Sequence, residues 1–296
     1  MSWKAGQHVF VRFFPLGLHS LTAHPFTISS LPRSARLSDA KRKAEGDVEG
    51  KESEIIFYVK PKRGITARLA ALADKAPGCT MKVYLEGPYG GLNTSLERFD
   101  EAVLITGGSG GGFSLGVVEE VLRAQKPASD GDEDRGKRAL NVVFATRNPS
   151  TAEWYTEELD ALVSMYGSAE SVSRSIHTTS HHHSDSEKLP EAADIDLEKS
   201  AIPASDTELP DSSSDQQITT DPNQYHSHRP DIPAIISRTT NGSANGSASD
   251  RRKCIGVIVC GPASMLHDTR NAAADAQRHV ARGDVEEVYL HMEPFA

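Results

Sequence analysis

The stretch "LITGGSGGGFSLGVVEEVL" (104–122) places five glycines in six positions around Ser109. Its flanks decide how it is read. Ala102–Thr106 ("AVLIT") is a short β-branched apolar run of the kind that forms a buried strand. From Phe113 onward, Phe113, Leu115, Val117, Val118, Val121 and Leu122 recur at helical spacing, with Glu119 and Glu120 on the polar side. A slack spacer has no reason to sit between a buried strand and an amphipathic helix. The glycines therefore read as a turn whose backbone N–H groups can close around a phosphate at a helix N-terminus. Gly108 and Gly110 match the first two positions of G-x-G-x-x-G, but Phe113 occupies the third and no acidic strand end follows about 20 residues on. The turn thus supports phosphate binding without the usual NAD fingerprint.

Downstream the α/β texture continues. "LNVVFATR" (140–147) reads as a strand and "STAEWYTEELDALVSMYG" (150–167) as a helix. "CIGVIVCGP" (254–262) reads as a buried strand ending in a turn, followed by a helix over 263–282 and a last strand, "EEVYLHMEPF" (286–295). Residues 168–250 are Ser-, Asp- and Pro-rich with little periodicity, which predicts disorder outside one apolar island at 228–237. Upstream, 6–32 reads as two strands around a loop, 33–54 as a charged surface insertion, 55–61 as a strand and 64–76 as a helix. "MKVYLEGPYGG" (81–91) reads as a strand ending in a Gly-Pro turn. The fold class is therefore α/β plus β. An antiparallel barrel over 1–92 is followed by a parallel α/β domain over 98–296, with a low-complexity insertion at about 168–227 and 239–250.

The chain has 296 residues and a net charge of −9, which argues against a nucleic-acid binder. The charge is local: residues 168–250 hold 14 acidic and 5 basic side chains, and the remainder is balanced. Cys79, Cys254 and Cys260 have unrelated spacings, which is no disulfide framework. No apolar run approaches the ~20 residues of a membrane span, so the polypeptide as written is expected to be soluble. His181–His183 are not at metal-ligand spacing, and no metal site is expected.

Four stretches carry candidate chemistry. The glycine turn is the first. In "IVCGPASM", Cys260 followed by Gly261 and Pro262 stands at the carboxyl edge of the parallel sheet, where ligands bind in such folds; taken alone, it reads better as a buried structural cysteine. In "HPFTISS", His24 and Thr27 could reach a phosphate and a ring nitrogen, and Phe26 offers a flat face. An ordinary strand with an incidental histidine is an equal reading. Lys62 and Arg63 beside Gly64 lie at a helix N-terminus that favours an anion, or form a solvated basic turn.

In this order these elements resemble the ferredoxin–NADP reductase superfamily, and more narrowly the cytosolic half of the ferric reductases, relatives of the NADPH oxidases. The matching pieces are "GQHVFVRF", "LHSLTAHPFTISSLP", "GPYGG", "LITGGSGGGFSL", "VFATRN", "HRPDIPAII", "VCGPASMLHDTRN" and "EVYLHMEPF", closest to the fungal branch. The resemblance implies an FAD-binding barrel and a ferredoxin-reductase-like NADPH-binding domain. It places His24, Pro25, Phe26 and Thr27 on the flavin motif, with His24 towards the FAD phosphates, Phe26 against the isoalloxazine and Thr27 near N5, and it implies Arg63, Gly64 and Thr66 at the FAD pyrophosphate. Gly87, Pro88 and Tyr89 fall at the domain junction. Gly107, Gly108, Ser109, Gly110, Gly111 and Gly112 fall at the NADPH pyrophosphate, and Cys260, Gly261 and Pro262 where nicotinamide docks. Phe295 matches the aromatic that covers the flavin. Cys260, Thr27 and Phe295 are the expected catalytic set. Arg147 is the candidate for the 2′-phosphate, since a guanidinium fork suits a phosphate dianion; a plain surface arginine is nearly as good a reading.

The implied activity is NADPH to FAD, then single electrons through haem to Fe(III) chelates or another one-electron acceptor. The implied place is the cytosolic face of the plasma membrane. The family's haem-bearing transmembrane helices and first barrel strand are not in this sequence. The expectation is accordingly a fragment, a truncated gene model or a divergent product, cytoplasmic as it stands and joined to a membrane only through an absent N-terminal region. An NADPH oxidase module and a non-catalytic nucleotide-binding remnant are the rival expectations.

Overall fold

A computed structural model describes residues 1–32, 54–125, 138–166, 171–179, 223–244 and 252–294. The N-terminal module is antiparallel. Its strands β1 (Gln7–Phe13), β2 (His24–Thr27) and β3 (Val83–Gly90) pair in the order β2-β1-β3. Alternation along β1 sends Val9, Val11 and Phe13 into a small core with Trp3, Ile28 and Ile65, the last from helix α1 (Ile65–Lys75). The opposite face carries His8, Phe10 and Tyr89, whose rings lie within 6.0 Å of one another.

Two expectations for this module are corrected. Residues 55–61 do not form a ladder strand. Ser29 N–H donates to the Ile56 carbonyl at 2.9 Å, but Ile56 N–H donates to the Ser30 hydroxyl, so a side chain takes the place of the next backbone partner. Gly87-Pro88 does not end β3, which runs on to Gly90. The register slips there, between His8 and Phe10, as a bulge on an edge strand, where a residue without an N–H costs no ladder bond.

The second module is a six-stranded parallel sheet, order β7-β6-β5-β4-β8-β9, with β4 at Glu101–Gly107, β5 at Ala139–Thr146, β6 at Val172–Thr178, β7 at Asn223–His226, β8 at Cys254–Gly261 and β9 at Glu287–Pro294. Helices α2 (Gly111–Gln125) and α3 (Pro149–Tyr166) cover one face, burying Leu104, Val142, Phe144, Ile258 and Cys260. Helices α4 (Ile232–Ala244) and α5 (Ala263–Arg282) cover the other, burying Val103, Ile105, Val143, Val257 and Val259. Strands buried on both faces must be apolar throughout, hence "AVLIT" and "CIGVIVC".

The insertion boundaries are also corrected. Strands β6 and β7 and the end of α4 fall within 168–227 and 239–250. "VSRSIHT" escapes a reading by hydrophobicity because Ser173, Arg174 and Ser175 alternate with few apolar residues, and "NQYH" is held mainly by pairing with β6. In α4, Thr239 and Thr240 are buried because their hydroxyls donate to the carbonyls of Ile235 and Ile236. The acidic stretch 180–222 lies outside the described residues.

Candidate functional site

The sheet reverses its winding between β4 and β8. Crossovers through α2 lead to β5 on one side, and β8 continues to β9 on the other. At such a switch point the carboxyl ends of two neighbouring strands open a crevice. Here those ends are Thr106 and Cys260, paired in register, and the turns that follow them are 107–112 and 261–262. The structure thus brings together the two stretches assigned to the pyridine dinucleotide.

Most of the glycines are required by packing. A Cβ on Gly110 would stand 2.6 Å from the carbonyl oxygen of Cys260 and 3.1 Å from its sulfur. One on Gly111 would meet Phe144 and Tyr155 at 3.2 Å, and one on Gly107 would meet Met265 at 3.1 Å. Gly108 differs: φ is +55° and nothing lies within 4 Å of its Cβ position. With exposed Ser109 it forms the open lip above the first turn of α2, and this is where the turn fits a phosphate. Behind it, Ser114 Oγ donates to the Gly111 carbonyl at 2.8 Å and lies 2.8 Å from the Tyr155 hydroxyl, whose pKa burial pushes up to about 12.

Cys260 is only 4% exposed, and burial followed by the nearby Glu293 carboxylate pushes its thiol up to about 12. It is a neutral thiol at physiological pH, suited to shaping a surface and unsuited to proton transfer. Arg147 is exposed just beyond β5, and Phe295 lies outside the described residues.

On the first module, His24 and Phe26 share the face of Val11 and Val9, their partners on β1. Phe26 is half-buried, edge-on to Phe13 at 6.1 Å and 5.9 Å from Phe57. It is therefore partly a core residue, less open than a free stacking face. His24 Nε2 lies 2.8 Å from Thr22 Oγ1. Thr27 and exposed Pro25 face the other way, beside His8 and Phe10. Gly64 begins α1 with φ +65°, no side-chain cap and open space at its Cβ position, a vacant helix start that fits a diphosphate. Lys62 and Arg63 are exposed beside it. The Thr66 hydroxyl is already engaged, accepting from Lys62 N–H at 3.0 Å and donating to the Arg63 carbonyl at 3.2 Å, so it shapes this turn. Tyr89 donates to Glu86 at 3.2 Å on the open face.

The two modules meet along α2. A Cβ on Gly112 would come within 2.8 Å of Ser29 Oγ, and one on Gly116 within 3.3 Å of the Ile28 carbonyl. The segment carrying His24–Thr27 therefore continues directly onto the helix that starts at the glycine turn. Further contacts come from Gly6, whose Cβ position is 2.9 Å from Phe113, from Ala5 N–H on Glu120, and from Tyr58, which donates to Glu158 at 2.7 Å. Sequence reasoning missed this seam. Its signal was the four-residue spacing of Gly112 and Gly116 on one helical face. Glu119, read as solvent-facing, is buried at the seam.

The comparisons with known proteins settle the lineage. Residues 99–274, more than half of the chain, match the ferric reductase NAD binding domain, and residues 1–93 match an FAD-binding domain. The chain belongs to the ferric reductase family. Over 288 residues, 93% of its length, it is 28% identical to ferric reductase transmembrane component 4 of Saccharomyces cerevisiae, of which it covers 35%. Over 164 residues, 54% of its length, it is 30% identical to probable cell surface ferric reductase kap2 of Aspergillus oryzae, covering 19% of that protein. This reductase-family chain thus spans about a third or less of the curated relatives it matches. Its fold is similar to that of a ferredoxin NADP+ reductase from Neisseria gonorrhoeae, with TM-score 0.51 and 15% identity over 99% of this chain and 87% of that one. The CS-b5R domains of human Ncb5or give 0.52 and 13% over 99% and 61%. It carries an FAD-binding domain followed by a ferric reductase NAD binding domain. Among the described residues no helix is long and apolar enough to cross a membrane.

Proposed function

We propose that the chain passes reducing equivalents from NADPH to FAD and from there, in single electrons, to an Fe(III) chelate, as the electron-supplying module of a membrane ferric reductase at its cytosolic face. What carries this reading is the seam: the turn 107–112 and the segment 24–29 are borne by one helix, with Gly112 against Ser29. When bound, the nicotinamide and the flavin would supply the redox chemistry, hydride transfer between them.

The protein's part is binding and placement. Gly108 and Ser109, above the N-terminus of α2, hold the dinucleotide diphosphate, with the packed Gly107, Gly110, Gly111 and Gly112 fixing the turn. Arg147 takes the 2′-phosphate, which is the basis for preferring NADPH to NADH. Cys260, Gly261 and Pro262 would floor the nicotinamide site, where the buried neutral thiol offers a surface that excludes water. On the flavin side, His24 with Arg63 and Gly64 would hold phosphate, and Phe26 and Thr27 would position the ring system.

The test is Cys260→Ala in the FAD-loaded chain with ferricyanide as acceptor. NADPH oxidation should slow by about tenfold while NADP+ affinity stays unchanged, the pattern of an interaction made at the reacting ring. An unchanged rate sinks the nicotinamide assignment. A chain that stays colourless with added FAD sinks the flavoenzyme reading altogether.

A further inference from the structure

Where the two modules meet, α2 carries a buried polar cluster that none of the expected cofactor contacts uses. Glu119, 7% exposed, accepts the Leu31 N–H at 2.9 Å on one carboxylate oxygen. Its other oxygen pairs with Arg123 one turn on and accepts from the Tyr166 hydroxyl at 3.0 Å. Arg123 donates to that same hydroxyl at 2.7 Å and, through Nη1, to the Pro32 carbonyl at 2.7 Å, with its guanidinium 5.7 Å over the Tyr166 ring. Among the described residues, Glu119 and Arg123 reach the first module through hydrogen bonds to backbone at Leu31 and Pro32, just beyond Thr27. Every partner on the second is α2 or the last residue of α3.

A largely buried carboxylate–guanidinium pair is an uneconomical way to stabilise a fold, since apolar residues of equal volume commonly do as well. What such a pair supplies is directional: fixed donors and acceptors that allow one registry between two surfaces. We propose that Glu119, Arg123 and Tyr166 form a latch that sets the registry of the flavin segment against the dinucleotide turn, with Glu119 a positioning residue for hydride transfer. Helix α2 then acts as a ruler. Its N-terminus bears the dinucleotide turn, Gly112 and Gly116 seat Ile28–Ser29, and Glu119 with Arg123 fastens Leu31–Pro32. Sliding the segment along the helix would break both of its hydrogen bonds to the latch at once, Leu31 N–H to Glu119 and Arg123 to the Pro32 carbonyl. The inference rests on the hydride-transfer reading above.

The test uses the full chain with Glu119→Leu and Arg123→Met together, which removes the latch without leaving one buried charge unpaired. In the FAD-free protein, amide exchange over 28–31 should quicken at least tenfold. In the FAD-loaded protein, flavin reduction by NADPH should slow at least tenfold and the nicotinamide–flavin charge-transfer band should weaken. FAD and NADP+ affinities should stay within threefold. Tyr58→Phe, which removes a different bond across the seam, should leave reduction within twofold of the parent. Unchanged exchange over 28–31 overturns the latch whatever the cofactors do. Parental rates and band in the double variant, or an equal loss in Tyr58→Phe, overturn its role in positioning. A parent chain whose flavin NADPH cannot reduce sinks the functional reading instead, and the exchange result then decides the latch alone.

Discussion

The turn at 107–112 and the segment at 24–27, the two proposed nucleotide sites, rest on unlike foundations. The turn rises from β4, a strand with parallel partners on both sides and a helical layer on each face, and its glycines touch β5, β8, α3 and α5. The flavin segment is a four-residue edge strand on a three-stranded sheet with a thin core. One site is set by packing before any ligand arrives; the other is a half-exposed surface that its ligand must complete. Substitutions in the first should therefore cost stability, and those in the second should cost cofactor.

The largest effect is expected from Gly110→Ala, whose methyl group meets the Cys260 carbonyl at 2.6 Å. Backbone cannot move aside as a side-chain tip can, so urea unfolding should report a loss of about 3 kcal/mol. Gly108→Ala, in open space at φ +55°, should cost only about 1 kcal/mol, from the left-handed backbone alone. Equal losses would mean that the turn is not fixed as described.

Next comes His24→Ala, which removes a half-exposed ring from the flavin side. FAD affinity should fall about tenfold, or 1.4 kcal/mol, with the apoprotein's thermal midpoint essentially unmoved. A comparable drop in the midpoint would erase the contrast between the two regions.

The last effect concerns acid. Burial lowers the pKa of His177 to about 4 from 6.5, with Nδ1 bonded to the His228 carbonyl at 2.9 Å and Nε2 2.9 Å from Ser175 Oγ. As pH falls below 6.5 the unfolded chain takes up a proton that the folded chain refuses. The stability contributed by neutral His177 is therefore present above 6.5 and drains away towards pH 4. His177→Gln should flatten urea midpoints across that window; an unaltered slope would exclude His177 as the group responsible.

Legibility in the sequence followed the same division. "AVLIT", "LNVVFATR" and "CIGVIVC" announce themselves because strands buried on both faces are predominantly apolar, with Thr106 and Thr146 as buried exceptions at their ends. The helix after the glycines was readable from six apolar positions, all of them buried. Strands β6 and β7 were not, since near the sheet edge the pairing itself stabilises residues such as Ser173, Ser175 and Gln224. The seam was illegible for a different reason. Helical periodicity separates apolar from polar faces, and it assigns Glu119 to solvent because the Leu31 N–H and Tyr166 that satisfy it are distant in sequence. The glycine run was legible as a turn between strand and helix, but most of its glycines answer to packing, and among them Gly108 alone stands in open space.

The most direct test is anaerobic rapid mixing of the FAD-loaded chain with NADPH carrying hydrogen or deuterium at the transferred C4 position. The account predicts that the flavin bleaches in a single turnover and that deuterium slows the bleaching. A flavin that stays oxidised under saturating NADPH would contradict it.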